Sequence, residues 1–121
     1  MSFPTKRVPI KLGDGTKKRF IRYDFEAIER LEEEVGEPLE LTLRRAATLS
    51  ARSISGLVWA GLLHAEPDLT RKQVVKLINL EDIKVTLETV MDAVKRGTGQ
   101  KKEDPDGEDG GKAETAEEDE G

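Results

Sequence analysis

The chain contains no cysteine, a single histidine and few aromatic side chains, which make up 4% of its 121 residues. Without cysteine it can form neither disulfide bonds nor thiolate sites, and with His64 as its one histidine it has almost no ligands for a transition metal. No apolar run approaches the roughly 18 residues that a membrane span needs, and none follows the N-terminal residues as in a signal peptide. We therefore expect an intracellular protein without a membrane anchor.

The acidic charge is concentrated at one end of the chain. Residues 1–96 carry 17 basic and 15 acidic side chains, whereas residues 97–121 carry 3 and 10, a net charge of −7. These last residues include no Leu, Ile, Val, Met or aromatic side chain, so they cannot bury enough apolar surface to offset the entropy cost of ordering. We predict a flexible N-terminus (residues 1–7), a single folded domain (8–96) and a disordered acidic tail (97–121). Such tails are most often solubilising, and binding to a basic surface is the less favoured alternative.

Two short runs of strand character open the predicted domain. Apolar residues alternate over residues 8–12, an Asp14-Gly15 pair follows, and a second run covers residues 17–23. This pattern indicates a β-hairpin over residues 8–23. Its first strand should lie at a sheet edge, because Pro9 has no N–H to donate to a neighbouring strand.

Helical periodicity dominates the remainder. Asp24, Thr42 and Thr70 are typical helix N-caps, and Gly36 is a typical C-terminal stop. The segment around Trp59 is apolar almost all round, which predicts the central, most buried helix. The fold class is α+β and mostly α, a hairpin followed by four to five helices, which we place at residues 24–35, 42–48, 53–65, 71–79 and 82–96.

Residues that could carry catalysis are sparse. His64 could act as a general base or a lone metal ligand, but a polar side chain near a helix C-terminus is the favoured interpretation. The run Glu32-Glu33-Glu34 falls mainly on the polar face of a predicted helix, and Gly13-Asp14-Gly15 is too short for a phosphate-binding loop. We predict no catalytic residue, no cofactor and no metal, and therefore a protein that is not an enzyme.

The hairpin offers an alternative function. Lys17, Lys18, Arg19 and Arg22 lie close to Phe20 and Tyr23, and a basic β-ribbon with exposed aromatic rings can bind nucleic acid. The net charge of residues 1–96 is only +2, however, and charged side chains commonly protect an exposed strand edge. A small nucleic-acid-binding regulator is therefore the second hypothesis, and nucleic acid is the less favoured partner.

Two sequence blocks resemble a known family. The first runs from Tyr23 to Glu33 (YDFEAIERLEE) and is followed by Gly36; the second is Leu57 to His64 (LVWAGLLH), followed by an acidic, proline-containing turn and Thr70. Together, in this order and after a pair of strands, they are similar to the tail assembly chaperones of long-tailed phages and gene transfer agents. The resemblance covers roughly residues 17–94 and assigns nothing to the acidic tail.

This resemblance implies a helical, non-enzymatic protein that binds the tape measure protein, keeps it soluble and helps to recruit tail tube subunits. It implies action in the host cytoplasm and absence from the mature virion; self-association is left open. We expect uncovered apolar positions on the Trp59 helix and the last helix to receive partner helices. The expected partner-binding residues are Leu57, Trp59, Leu62, Leu63, Val90, Met91 and Val94.

Overall fold

The computed structural model describes residues 7–99 and confirms the predicted class, mostly helical with an N-terminal hairpin. The elements are β1 (Val8–Ile10), β2 (Arg19–Ile21), α1 (Phe25–Val35), α2 (Leu39–Ala47), α3 (Ala51–Leu62), α4 (Arg71–Leu77), a 3-10 turn (Leu80–Asp82) and α5 (Ile83–Gly97). The predictions of a flexible start and a disordered acidic tail lie outside the described residues, except for Arg7 and residues 97–99. Of these, Gly97 ends α5, one residue beyond the predicted helix.

The hairpin is a two-stranded antiparallel sheet in which Val8 pairs with Ile21 and Ile10 with Arg19. Pairing stops at Ile10, so eight residues, 11–18, connect the strands in place of a tight Asp-Gly turn. Gly13 explains the longer connection, because its N–H donates to the Leu77 carbonyl oxygen at 2.7 Å and its φ is +63°. The loop is therefore shaped by its contact with the end of α4.

Helix α1 begins and ends as its sequence predicts. The Asp24 carboxylate accepts a hydrogen bond from the Ala27 N–H at 2.8 Å, and Gly36 closes the helix with a left-handed backbone (φ 77°). The buried stripe is Ala27, Leu31 and Val35, at a spacing of four residues. The helix therefore packs one narrow apolar face on α3 and leaves its glutamates at the surface.

Replacing Asp24 with alanine should lower the free energy of unfolding by about 1 kcal/mol, because the N–H of Ala27 loses its acceptor. Asp24→Asn keeps that acceptor and should lose less. It removes only the charge that meets Arg22 at 3.4 Å and the positive end of the helix dipole. Urea titrations of both variants measure the difference. Equal stability of Asp24→Ala and the wild type would contradict this role for the cap.

The prediction that Thr42 is the N-cap of α2 is wrong. The helix begins at Leu39, whose N–H donates to a Glu32 carboxylate oxygen at 2.9 Å, and Pro38 occupies the N-cap position. Thr42 lies in the second turn, fully buried, and its hydroxyl donates to the Pro38 carbonyl at 3.3 Å. A side chain from α1 thus satisfies a first-turn donor, which the local sequence could not reveal.

Helix α3 is the centre of the fold. It contacts β2 and helices α1, α2, α4 and α5, and residues 53–62 are all buried. The Tyr23 hydroxyl donates to the Leu57 carbonyl, and the Trp59 Nε1–H donates to the Leu69 carbonyl at 2.8 Å. Burial raises the pKa of Tyr23 above its usual value, so this phenol stays a donor. The helix begins two residues earlier than predicted, because Ser50 rather than a later residue caps it, and it ends at Leu62.

The last two helices differ in how they start. Thr70 and Gln73 form the predicted capping box at α4, which ends at Leu77, two residues before the predicted end. Helix α5 follows a 3-10 turn and packs on β1, α2 and α3. Within residues 7–99, no helix combines the length and apolar character needed to cross a bilayer.

Candidate functional site

The structure places the seven expected partner-binding residues mainly in the core. Leu57, Trp59, Leu62, Leu63, Val90 and Val94 are each at most 7% exposed, and Met91 is half-buried. The expectation that they present an open docking surface is therefore wrong for these six. The reason is that α3 is surrounded: β2, α1, α2, α4 and α5 all pack against it, so its apolar circumference is covered.

The possible catalytic side chains are not brought together. The His64 Nε2 lies 2.9 Å from the Phe20 carbonyl oxygen and links the end of α3 to β2. Glu32, Glu33 and Glu34 are exposed on α1, where Glu32 accepts from Leu39 N–H and Glu34 meets Arg71 at 3.4 Å. Among residues 7–99, no group of three acidic or histidine side chains could hold a metal ion. His64, Glu32 and Glu34 thus have structural partners in the fold.

An apolar groove lies elsewhere, between the start of α3, α4 and the start of α5; we call it the α3–α4–α5 groove. It encloses about 180 Å³. The lining residues are all apolar except one serine: Ala51, Ile54, Ser55, Val75, Ile78, Leu80 and Ile83. Val75 is 56% exposed and Leu80 is 83% exposed. Two large aliphatic side chains thus face solvent beside an apolar floor provided by Ile54, which is buried.

The groove arises because α4 is short and fully buries one side chain, that of Val74; its polar contacts with α3 come from Arg71. The next residue, Val75, is turned about 100° around the helix axis and lies exposed at the groove. The sequence pattern of this segment predicts one apolar face made of Val74, Val75, Leu77 and Ile78, and the exposure of Val75 shows that this prediction is wrong for that residue. Two adjacent valines in a helix lie about 100° apart and do not both face the same neighbouring helix. The pair Val74-Val75 was therefore the sequence signal that one of the two would be exposed.

The polar group in the groove is already satisfied. The Ser55 hydroxyl donates to the Arg52 carbonyl at 3.1 Å and accepts from Arg71 Nη2 at 3.2 Å. Arg71 also donates to the Arg52 carbonyl and meets Glu34. The arginine does not line the groove itself, but it occupies the acceptor sites of Ser55 and Arg52 beside it. What remains open is an aliphatic surface, which favours an apolar ligand over a polar one.

A second cleft separates α2 from α5, and it contains Met91 and Val94 from the predicted set. Its other lining residues are Leu39, Glu40, Leu43, Lys95 and Thr98. Its leucines are half-buried, and Glu40 and Lys95 stand at its rim. It lacks the two strongly exposed aliphatic side chains of the α3–α4–α5 groove, which is therefore the better candidate.

The hairpin and the start of α5 form a third surface, which we call the basic groove. It is lined by Pro9, Ile10, Lys11, Gly15, Lys17, Lys18, Arg19, Phe20, Val85 and Thr89. The Arg7 guanidinium lies 4.3 Å from the Phe20 ring centroid. Tyr23, which we had grouped with Phe20 as a base-stacking candidate, is fully buried and cannot serve as one.

Two of the cations in the basic groove share one acidic partner. Lys17 and Arg19 meet Glu66 at 3.2 and 3.4 Å. Asp14 is the other nearby carboxylate, and hydrogen bonds donated by the Thr16 N–H and hydroxyl lower its pKa below the usual value, so it stays charged. Even with both carboxylates ionised, the surface retains an excess of positive charge.

No family model matches this chain, and no curated protein or solved structure is significantly similar to it. Its function must therefore be inferred from the surfaces that residues 7–99 present.

Proposed function

We propose that this protein is a tail assembly chaperone that holds an apolar segment of another polypeptide in the α3–α4–α5 groove. The observation that carries the proposal is the exposure of Val75 and Leu80 beside the buried Ile54. A folded protein gains nothing for its own stability from two solvent-facing aliphatic side chains at the edge of an apolar groove. A partner helix with apolar residues on one face would cover them.

The partners that we propose are those implied by the sequence resemblance. The tape measure protein is the principal client, because a long helical protein exposes apolar stripes until it is packed, and tail tube subunits are the second. The proposed role is to keep the client soluble in the host cytoplasm and to leave before the virion is complete. It involves binding alone, with no chemical step.

The size of the groove suits temporary capture. Covering one exposed aliphatic side chain contributes about 1.5–3 kcal/mol at most, and association itself costs at least about 4 kcal/mol in lost freedom. One groove therefore binds a single apolar segment weakly, and a long client gains retention by engaging several copies of the chaperone. Weak individual contacts allow tube subunits to displace the chaperone as they assemble.

Co-expression with the tape measure protein tests the proposal. Wild-type chain should raise the client's soluble yield, and the double variant Val75→Asp/Leu80→Asp should lose that effect. Placing two carboxylates against apolar client residues removes roughly 1–3 kcal/mol per site, or at least about ten-fold in affinity. Soluble client is measured by quantitative immunoblot, with co-purification of the two chains as a second readout.

Phe25→Asp is the matched control. Phe25 is 83% exposed, the same as Leu80, but it lies at the start of α1 and lines no part of the groove. This variant should support the client as well as the wild type, and circular dichroism should show all variants folded. The proposal fails if wild-type chain leaves client solubility unchanged, or if the double variant works as well as the wild type.

The basic groove supports the second candidate, a nucleic-acid-binding regulator. Lys11, Lys17, Lys18 and Arg19 line it together with the half-buried ring of Phe20, a combination that suits a phosphate backbone and an unstacked base. Against it stands the sharing of Glu66 by two of these cations. The acidic residues that follow Gly97 in the same chain are a closer source of negative charge.

A further inference from the structure

The basic groove carries charge that the described fold does not neutralise. Residues 7–23 contain six Lys or Arg side chains and one acidic side chain, a net charge of +5. Two later acidic residues pair with this segment, Glu66 with Lys17 and Arg19 and Asp24 with Arg22, and together they offset two units. Lys11 and Lys18 are exposed and form no ion pair within residues 7–99.

The chain leaves the described fold close to this groove. Val85 and Thr89 of α5 line the groove, and Gly97, eight residues after Thr89, packs against the Tyr23 backbone at the end of the hairpin. Eight helical residues correspond to about 12 Å, so the end of α5 lies within roughly 20 Å of the basic side chains. Six extended residues can span such a distance at about 3.4 Å each.

We propose that the acidic residues following position 105 occupy the basic groove of the same molecule. Eight of the ten acidic residues after Gly97 follow Pro105: Asp106, Glu108, Asp109, Glu114, Glu117, Glu118, Asp119 and Glu120. Their tether holds them at an effective concentration in the millimolar range, far above that of a free competitor. Opposite charge and short reach thus select this segment over an external polyanion.

The proposed contact is electrostatic. Residues 100–121 contain no large apolar side chain that could cover Val85 or Phe20, so the attraction comes from charge alone. Such contacts between exposed groups are individually weak and are screened by salt. The tail therefore acts as a replaceable cover that keeps nucleic acid off the groove without competing for the apolar α3–α4–α5 groove.

The absence of cysteine makes the test direct. Ala116→Cys in the full chain provides one attachment site for a nitroxide spin label, and amide NMR signals near the label lose intensity. At about 20 mM salt, where the Debye length is roughly 20 Å, signals of Lys11, Lys18 and Phe20 should lose most of their intensity. At about 0.5 M salt, where that length is only a few ångströms, the signals should recover.

Two charge variants of the labelled chain sharpen the result. Lys11→Gln/Lys18→Gln should abolish the intensity loss on the hairpin. Lys72→Gln/Lys76→Gln, which removes the same charge from exposed positions on α4, should leave it intact. Both pairs are solvent-exposed, so neither change should disturb folding, and the amide spectra themselves report that.

Three outcomes would overturn the proposal: no selective loss on the hairpin at low salt, a loss centred on α4, or a loss that high salt does not reverse. If the hairpin shows no tail contact and a short DNA duplex shifts its amide signals, the groove is a nucleic-acid surface instead. The experiment contains no client protein, so its failure would leave the chaperone proposal standing, and the reverse also holds.

Discussion

Leu57→Ala should lower the free energy of unfolding by about 3–4 kcal/mol, while Leu80→Ala should change it by less than about 0.5 kcal/mol. The chemical change is the same in both. Leu57 is fully buried at the centre of α3, and the Tyr23 hydroxyl donates a hydrogen bond to the backbone carbonyl of Leu57. Because this bond holds Tyr23 in place, the neighbours cannot collapse into the cavity that the truncated side chain leaves. Leu80 is 83% exposed, so its truncation opens no cavity.

Urea titration followed by the fluorescence of Trp59, the chain's one tryptophan, measures both changes. Trp59 is 7% exposed and should report global unfolding. If Leu57→Ala proves unfolded, Leu57→Met serves as the reference, because a volume-conserving substitution costs less than about 1.5 kcal/mol. Similar losses for Leu57→Ala and Leu80→Ala would mean that the core is not where the structure places it.

Gly61→Ala is expected to destabilise the fold by about 2 kcal/mol, although alanine is the better helix former. A Cβ at this position would lie 2.8 Å from the Ile21 Cβ and 2.9 Å from the Tyr23 ring. Both neighbours are fully buried, and the Gly61 carbonyl accepts the Arg22 N–H at 3.0 Å, so β2 cannot move away without losing that bond. Gly61 is required because a strand crosses α3 at backbone distance.

Gly56→Ala is the matched control in the same helix. The added Cβ would lie 3.0 Å from the end of the Val35 side chain and 3.3 Å from that of Leu31. Both side chains can rotate or shift slightly to make room. The gain in helix propensity then offsets most of the strain, and we expect a change within about 1 kcal/mol. Thermal and urea unfolding should show that Gly61→Ala is less stable than Gly56→Ala. Wild-type stability for Gly61→Ala would rule out the close strand–helix contact.

Features set by neighbouring residues were predictable from the sequence. The Asp24 cap and the Thr70–Gln73 capping box depend on side chains within four residues of the backbone groups that they satisfy, and the Gly36 stop depends on the left-handed backbone of a glycine and its N–H to the Glu32 carbonyl. The hairpin was also predicted, but its connection was not. The length of that loop depends on Leu77, which is 64 residues away from Gly13 and invisible to a local pattern.

Predictions about exposure failed where apolar residues outnumber the neighbours available to cover them. Phe25 continues the apolar periodicity of α1 yet is 83% exposed, because the smaller Ala27 faces the core instead. In the central helix the periodicity correctly predicts burial, whereas the docking hypothesis, which needs Leu57 and Trp59 at a surface, is wrong because five elements enclose α3. Periodicity identifies an apolar face without showing how much of it other elements will cover.

The candidate groove could not be predicted from one segment. Its lining comes from the start of α3, from α4 and from the turn before α5, which are brought together by tertiary packing alone. The basic groove was easier, because most of its cations are adjacent in the sequence at Lys17, Lys18 and Arg19. Only the structure adds the pairing with Glu66 and the position of α5 beside it.

The packing of β1 and Tyr23 against α5 determines when the protein can fold during synthesis. Val8 and Ile10 emerge from the ribosome early, yet α5, the helix that packs on their strand, is translated more than seventy residues later. Contacts so distant in sequence form slowly, and N-terminal apolar residues stay exposed until they do. The native core therefore cannot close until Gly97 has been added, when 97 of the 121 residues have already been joined.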